Sequence, residues 1–444
     1  MRKSFLFLAL FTQTFLKRHF NQIILSVLVG FFITLFLLQI YPLLSVFLTR
    51  KHQTVGMVGL YSVANLPLSV RQKISFGLMN LLPNGETTPA AALSWDVVNN
   101  LIYTYKIKPN LYWHNGKKFL AGDVNYKIKD ANITVIDDYT LRIELKEPYS
   151  PLNGYLSQPL LLDHLNGLGN YKIVKIDYRK DNKIQQLTLL PFDRSQPTQT
   201  YKFYPNTQDA LLAFKLGEID MLEDLDTESG LLDWKNLEVD SKSFYNEIVA
   251  LFYNLDSEKF KEKEVRQALA YAVPPFDKFD KAVSPVYPLS WAYSQKLRLY
   301  KYDTETAQKI LSKSPLSSAS SELILTSTPD LLNTAQKIVD SWNKIGIPSK
   351  VRVDSTVPSD FQVLLHTLPI PSDPDQYIYW QSTQENTNIS RYSSPKIDKL
   401  LEDGRKTLDK DQRTKIYADF QFYLVDDAPA IFLYYPKHFT IRRK

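Results

Sequence analysis

The chain has 444 residues, a formal net charge of +6 and no cysteine. That length exceeds the roughly 150 residues of a typical domain, so two or more packed units are expected. The missing cysteine excludes disulfides, thiolate zinc sites, a cysteine nucleophile and an acylated-cysteine anchor.

The positive charge is local. Arg2, Lys3, Lys17, Arg18, Arg50 and Lys51 are the six bases of residues 1–52, which hold no acid; 53 Lys and Arg less these six leaves 47 bases against 47 acids. A neutral remainder offers no groove for nucleic acid. Asn21 to Leu48 is 28 positions without a charged side chain, which at about 1.5 Å per helical residue exceeds the roughly 30 Å hydrocarbon core. One transmembrane helix over 21–48 is expected, with 1–20 as a cytoplasmic or interfacial segment. A cleaved signal peptide has a shorter apolar core and a small-residue cleavage site, which Phe47-Leu48-Thr49 does not supply. Bases flank both ends of the run, so only Arg2 and Lys3 tip the positive-inside balance toward an extracytoplasmic C-terminus. The expected place is the cell membrane, single-pass, with the lipid bilayer as a partner.

Beyond the helix, Thr54 to Leu60 reads as a strand, Tyr61 to Pro67 as a loop and Val70 to Leu78 as a helix. Tyr103, Tyr105 and Ile107 alternate with Thr104, Lys106 and Lys108; Leu111 to Trp113 reads as a further strand running into the turn Asn115-Gly116. Asn132 to Ile136 and Tyr139 to Lys146 flank Asp137-Asp138 as a hairpin with one buried face. Val265, Leu269 and Ala272 form a helical stripe that Pro274-Pro275 ends. Ala335, Ile338, Val339, Trp342 and Ile345 share a helical face, Gly346 supplies the stop, and the strands Leu323 to Thr326 and Ile347 to Val353 flank it as a β-α-β unit. Ile431 to Tyr435 reads as a buried strand that returns to the first unit.

In this order the segments Pro89 to Trp95, Tyr103 to Gly116, Phe119 to Val124, Asp138 to Pro148, Gly169 to Ile173, Gly217 to Asp220, Val265 to Ala272, Ser290 to Tyr293, Lys344 to Ile347, Asn388 to Leu401 and Asp427 to Tyr435 resemble the extracellular solute-binding proteins of family 5, the peptide and nickel class. Most matched positions specify fold: Gly217 as a helix stop, Asp123 as a helix cap, Trp95 and Trp113 as core. The resemblance implies an α/β, two-lobed periplasmic-binding-protein-like fold of type II with a reduced accessory domain. It divides the chain into 54–246 as lobe 1, 247–428 as lobe 2 and 429–444 as a return to lobe 1. It further implies the substrate-binding component of an ABC importer that closes on a small solute or peptide, with ABC permease subunits as partners and a monomeric ectodomain.

Two departures qualify it. Between Asp123 and Asp137 a dozen residues stand where the family carries a long helical stretch. Peptide binders also place an Asp four residues before the proline of an acid-proline pair; if Asp373-Pro374 is that pair, the position is Ile370, which cannot neutralise an amino terminus. The candidate ligand residues are Tyr61, Ser62 and Asn65 after the first strand, Asn254 at the lobe boundary, Trp291 and Tyr293, and His366, Thr367, Ile370 and Asp373. No cofactor and no metal site is expected. His-Glu-x-x-His, Gly-x-Ser-x-Gly and phosphate-loop patterns are absent, Ser393-Ser-Pro-Lys396 is broken by its proline, and catalysis is not expected. A competing reading is a degenerate binding fold serving as a surface scaffold or partner-binding module without transport, distinguished by a filled gap between lobes.

Overall fold

The first strand, β1 (His52–Val58), buries Val55, Gly56 and Met57 in succession, as a central strand covered on both faces does. The computed structural model describes residues 51–163, 165–226, 234, 236–313 and 322–444, with 18, 19, 22, 25–36 and 39 near the N-terminus. Among the described residues no helix is long and apolar enough to cross a membrane; much of the expected 21–48 span lies outside them.

Helix α1 (Leu68–Ile74) follows β1 and stops short of the expected Leu78, because Ser75 is extended and its hydroxyl is bound to the backbone of Leu160 and Leu168. The hairpin β2 (Met79–Leu81) and β3 (Thr87–Pro89) leads into a separate four-stranded sheet of β4 (Ala92–Val98), β5 (Ile102–Ile107), β6 (Ala131–Asp137) and β7 (Thr140–Leu145), ordered β4-β5-β7-β6. The expected Asp137-Asp138 hairpin is its β6–β7 edge.

The expected strand at Leu111 to Trp113 does not form. Pro109 starts a turn, and the residues around Gly116, at φ +85°, close a tight loop through the single bridge Tyr112–Lys118. Asp123 caps the single 3₁₀ turn Ala121–Asp123: its carboxylate accepts from Leu120 N at 2.9 Å and from Trp113 Nε1 at 3.0 Å, and no helix occurs between that turn and β6. Trp113 is core, whereas Trp95 is half-exposed and stacks on the Tyr103 and Tyr105 rings.

The chain then completes a seven-stranded sheet. Strands β8 (Tyr171–Tyr178), β9 (Ile184–Pro191) and β10 (Thr198–Tyr204) precede α2 (Thr207–Leu216), β11 (Met221–Leu225) and β12 (Leu237–Ser243). The order is β12-β19-β11-β1-β10-β9-β8, where β19 (Lys437–Arg443) is the last strand of the chain. Asn206 caps α2 by accepting from Asp209 N at 2.9 Å, and Gly217 at φ +80° ends it. Gly56 lets α2 and the Ile219 turn lie on β1, since a Cβ there would collide with Ile219.

A six-stranded sheet forms the second half, from β13 (Glu247–Tyr253), β14 (Asp280–Lys281), β15 (Leu323–Ser327), β16 (Ser349–Val353), β17 (Val363–Pro369) and β18 (Ala430–Tyr435). In β13 every residue after Glu247 is buried, as a central strand covered on both faces requires. One face packs on α3 (Lys263–Tyr271), α4 (Thr304–Leu311) and α5 (Leu332–Lys344); the other on α6 (Pro395–Lys406) and α7 (Lys410–Asp427). The β15-α5-β16 unit is parallel, as expected, and its Trp342 is fully buried with Nε1 donating to Leu269 O at 3.2 Å.

The buried strand expected over Ile431 to Tyr435 is β18, and it belongs to the second sheet, pairing with β13. The return to the first sheet starts one residue past Pro436, at β19. Two crossings therefore join the halves side by side: Phe244–Asn246 outward and Pro436 back. Phe244 N donates to Pro436 O at 2.8 Å, and the Phe244 ring stacks on His438 at 4.3 Å. Three residues one way and one proline the other form a narrow, paired strap.

Candidate functional site

Beside the strap, β11 ends in Glu223-Asp224-Leu225-Asp226, β13 opens with Glu247, and β19 carries His438 in its first turn of pleat. The His438 imidazole pairs with Asp224, with Asp226 at 3.8 Å and Glu247 at 3.9 Å. Burial disfavours its charge, but the Asp224 hydrogen bond and the three carboxylates outweigh burial and raise its pKa. Burial likewise raises Asp226 and Glu247, with His438 opposing in each case. Tyr61 lies against this group: burial and then the charges of Asp224 and Asp226 raise its phenol, whose hydroxyl donates to Val58 O at 2.9 Å.

From the second half, Asp330 is near enough to act on both Asp226 and His366, and burial pushes the His366 imidazole below its ordinary value. Tyr61 and His366 thus approach one acidic, histidine-bearing zone from opposite halves. Neighbouring Thr367 is half-buried on the same strand.

The second contact zone is aromatic and ion-paired. Arg413 on α7 binds Asp373 through Nη2 at 2.8 Å, donates from Nε to Gly404 O at 3.0 Å, and lies 5.2 Å from the Trp291 ring. Arg405 on α6 binds Asp375 at 2.7 Å, and burial raises that carboxyl with Arg405 opposing. Against them, from the first half, stand Tyr103, Tyr149 and the Leu82–Glu86 turn. Burial pushes the Tyr103 phenol up to about 12, with Arg413 opposing, and its hydroxyl is buried without a hydrogen-bond partner.

The halves touch directly here. Tyr287 Oη donates to Pro83 O at 3.0 Å, Trp291 N to Asn84 O at 3.0 Å, and Ser150 N to Arg405 O at 2.8 Å; Lys410 pairs with Glu86. Gly85, at φ +83°, is required, because any Cβ would collide with Ser372 O.

The remaining expected ligand residues make the following contacts within the protein. Ser62 Oγ binds the Asn65 side chain at 2.8 Å, closing a single turn. Asn254 donates to Phe361 O at 2.9 Å. Ile370 is 6% exposed and packs in the core between the second sheet and α7, its N–H donating to Asn246 O at 2.6 Å beside the strap. Tyr293 is half-buried against the same core. Sequence reasoning passed over Arg413, Arg405, Asp375, Asp224, Asp226, Glu247 and His438. The usable signal was position: acids and a histidine flanking both crossings of a two-unit fold sit where the units meet.

Two α/β halves joined by a double strap, with ionisable and aromatic side chains facing each other across the junction, define the class of two-lobed binding proteins. The family model for bacterial extracellular solute-binding proteins, family 5 Middle, matches residues 86–388, and the chain belongs to that family. Its members bind solutes and are not enzymes. The oligopeptide-binding protein AppA of Bacillus subtilis is 23% identical over 417 residues, covering 76% of each chain. The dipeptide-binding protein of Escherichia coli is 21% identical over 453 residues, covering 81% of this chain and 83% of its own. Among solved structures, NikZ from Campylobacter jejuni in complex with Ni(L-His) superposes with a TM-score of 0.74 at 24% identity, covering 89% of this chain and 95% of its own. B. subtilis AppA in complex with a nonapeptide superposes at 0.67 and 20% identity, covering 89% and 95%.

Proposed function

We propose that this chain is the substrate-binding component of an ABC importer, which takes an oligopeptide-like solute between its lobes by hinge closure and hands it to permease subunits. The observation that carries this is the pair of crossings at Phe244–Asn246 and Pro436, flanked by His438, Glu247, Tyr61 and His366. Rotation about so few residues leaves both cores intact, so closure costs little and the guest's contacts with both lobes supply the difference. Lobe 1 would span 54–246 with β19 as its returning strand, and lobe 2 would run from 247 through β18 to Tyr435. The four-stranded sheet would be a reduced accessory domain of the peptide-binding class.

With Ile370 in the core, a guest's positive end would meet the carboxylates beside the strap instead of an acid at position 370. The uncharged run 21–48 would tether a monomeric extracytoplasmic part to the cell membrane as a single pass, keeping the receptor beside its permease at raised effective concentration. Thermal melting of the purified chain against oligopeptides, nickel chelates and sugars tests the reading. A ligand at 100 times its Kd stabilises by about 2.7 kcal/mol; a shift with none of the three classes removes the receptor function.

One observation favours a second reading, a degenerate fold used as a surface scaffold. The lobes are bonded directly to each other through the Leu82–Glu86 turn and Ser150, which narrows the gap at that zone. Melting curves that no solute moves support the scaffold.

A further inference from the structure

Helix α3 ends at Tyr271 because Pro274 and Pro275 can donate no backbone hydrogen bond and cannot extend it. The chain instead wanders as a loop to the two-residue strand β14, and a cavity of ≈ 140 Å³ is left between that loop, the Arg298–Tyr302 segment and β18. Its lining belongs wholly to the second half, although Asp280, between the lining residues Phe279 and Lys281, accepts from Ser243 Oγ of the first half at 2.6 Å. A volume of this kind holds one benzene-sized ring.

The cavity body is apolar and aromatic, formed by Val273, Phe276, Tyr300 and Phe432. Its shape is fixed by packing: Phe279 stacks on Tyr434 at 4.3 Å, Ala282 N donates to Leu433 O at 3.1 Å, and Tyr300 Oη donates to Val425 O at 3.0 Å. Three charged residues line it. Arg298 is spent on Asp426 at 3.1 Å. Asp277 and Lys281 line the cavity, and among the described residues neither side chain has a hydrogen-bond or ion-pair partner. One free carboxylate and one free ammonium beside an apolar, ring-sized hollow match a small zwitterion with an apolar side chain.

We propose that this cavity binds a free α-amino acid with an aromatic or branched aliphatic side chain. The ring or branch fills the hollow, Asp277 takes the ammonium group and Lys281 the carboxylate. The site is independent of the inter-lobe reading and stands if that reading fails.

The test is calorimetric titration of the full chain with L-phenylalanine and L-leucine, and with phenylacetate and phenethylamine, which each lack one of the two charges. One amino acid is expected to bind per chain, and each single-charge analogue about tenfold more weakly, the loss of one charge-assisted hydrogen bond. Asp277→Asn and Lys281→Gln are expected to weaken the amino acid about tenfold each, with unchanged melting because both positions are exposed. Val283→Trp fills the cavity and abolishes binding. No heat with either amino acid overturns the proposal; so does binding that both rim variants leave intact, which places the amino acid elsewhere.

Discussion

Replacing Arg413 by Met should be among the most damaging single changes in the second half. The guanidinium is nearly inaccessible, at 7% side-chain exposure against 17% for its partner Asp373. Its removal strands a carboxylate in the aromatic zone under Trp291 and Tyr417 and takes from Gly404 O one of its two side-chain donors, leaving Ser150 Oγ. Breaking a buried pair by deleting one partner costs roughly 3–5 kcal/mol, whereas an exposed pair is worth about 1 kcal/mol or less. Asp373→Asn retains the acceptor for Asp375 N, at 3.0 Å, while removing the charge. The Arg413→Met/Asp373→Asn double variant should therefore recover roughly 1–3 kcal/mol relative to the sum of the singles. Urea unfolding followed by tryptophan fluorescence measures all four corners of the cycle, with Trp291 as a local reporter. A loss below about 1 kcal/mol for Arg413→Met, or simple additivity, would refute the claim that this pair holds the Ser372–Asp375 turn on α6 and α7.

Other consequences follow from the same structure. His438 has a raised folded pKa, so its stabilising contribution is fully present below its unfolded value of about 6.5 and is lost as pH rises through the folded value. Stability should fall with rising pH above about 6.5, and His438→Gln should flatten that slope in urea titrations at stepped pH; an unchanged slope excludes the assignment. Gly85→Ala should pry the halves apart at Ser372, lowering energy transfer between dyes on cysteines introduced into each half, an experiment the cysteine-free chain makes clean. Unaltered transfer would show that the Gly85 contact does not set the spacing. Trp342→Ala should cost roughly 3–5 kcal/mol by cavity formation and loss of the bond to Leu269, read by chemical denaturation.

Periodicity made the β15-α5-β16 unit legible because Trp342 and its stripe repeat at helical spacing and Gly346 must take a positive φ. The β6–β7 hairpin was legible for the matching reason, alternation over a whole strand. Leu111 to Trp113 failed because three apolar residues cannot distinguish a ladder from a tight loop, and β18 was assigned to the wrong sheet because burial identifies a strand without its neighbours. The junction was harder still. His438 and Asp224 are 214 residues apart, Asp373 and Arg413 are 40, and no local pattern connects them. Ile370 was legible as a residue lacking a charge, but its place in the core depended on where β17 ends.

Small-angle scattering from the chain in solution, with and without a saturating oligopeptide, tests hinge closure most directly. Peptide should give a smaller radius of gyration, as the two lobes rotate about Phe244–Asn246 and Pro436 to enclose it. An identical radius in the presence of a peptide that demonstrably binds would contradict closure by the strap.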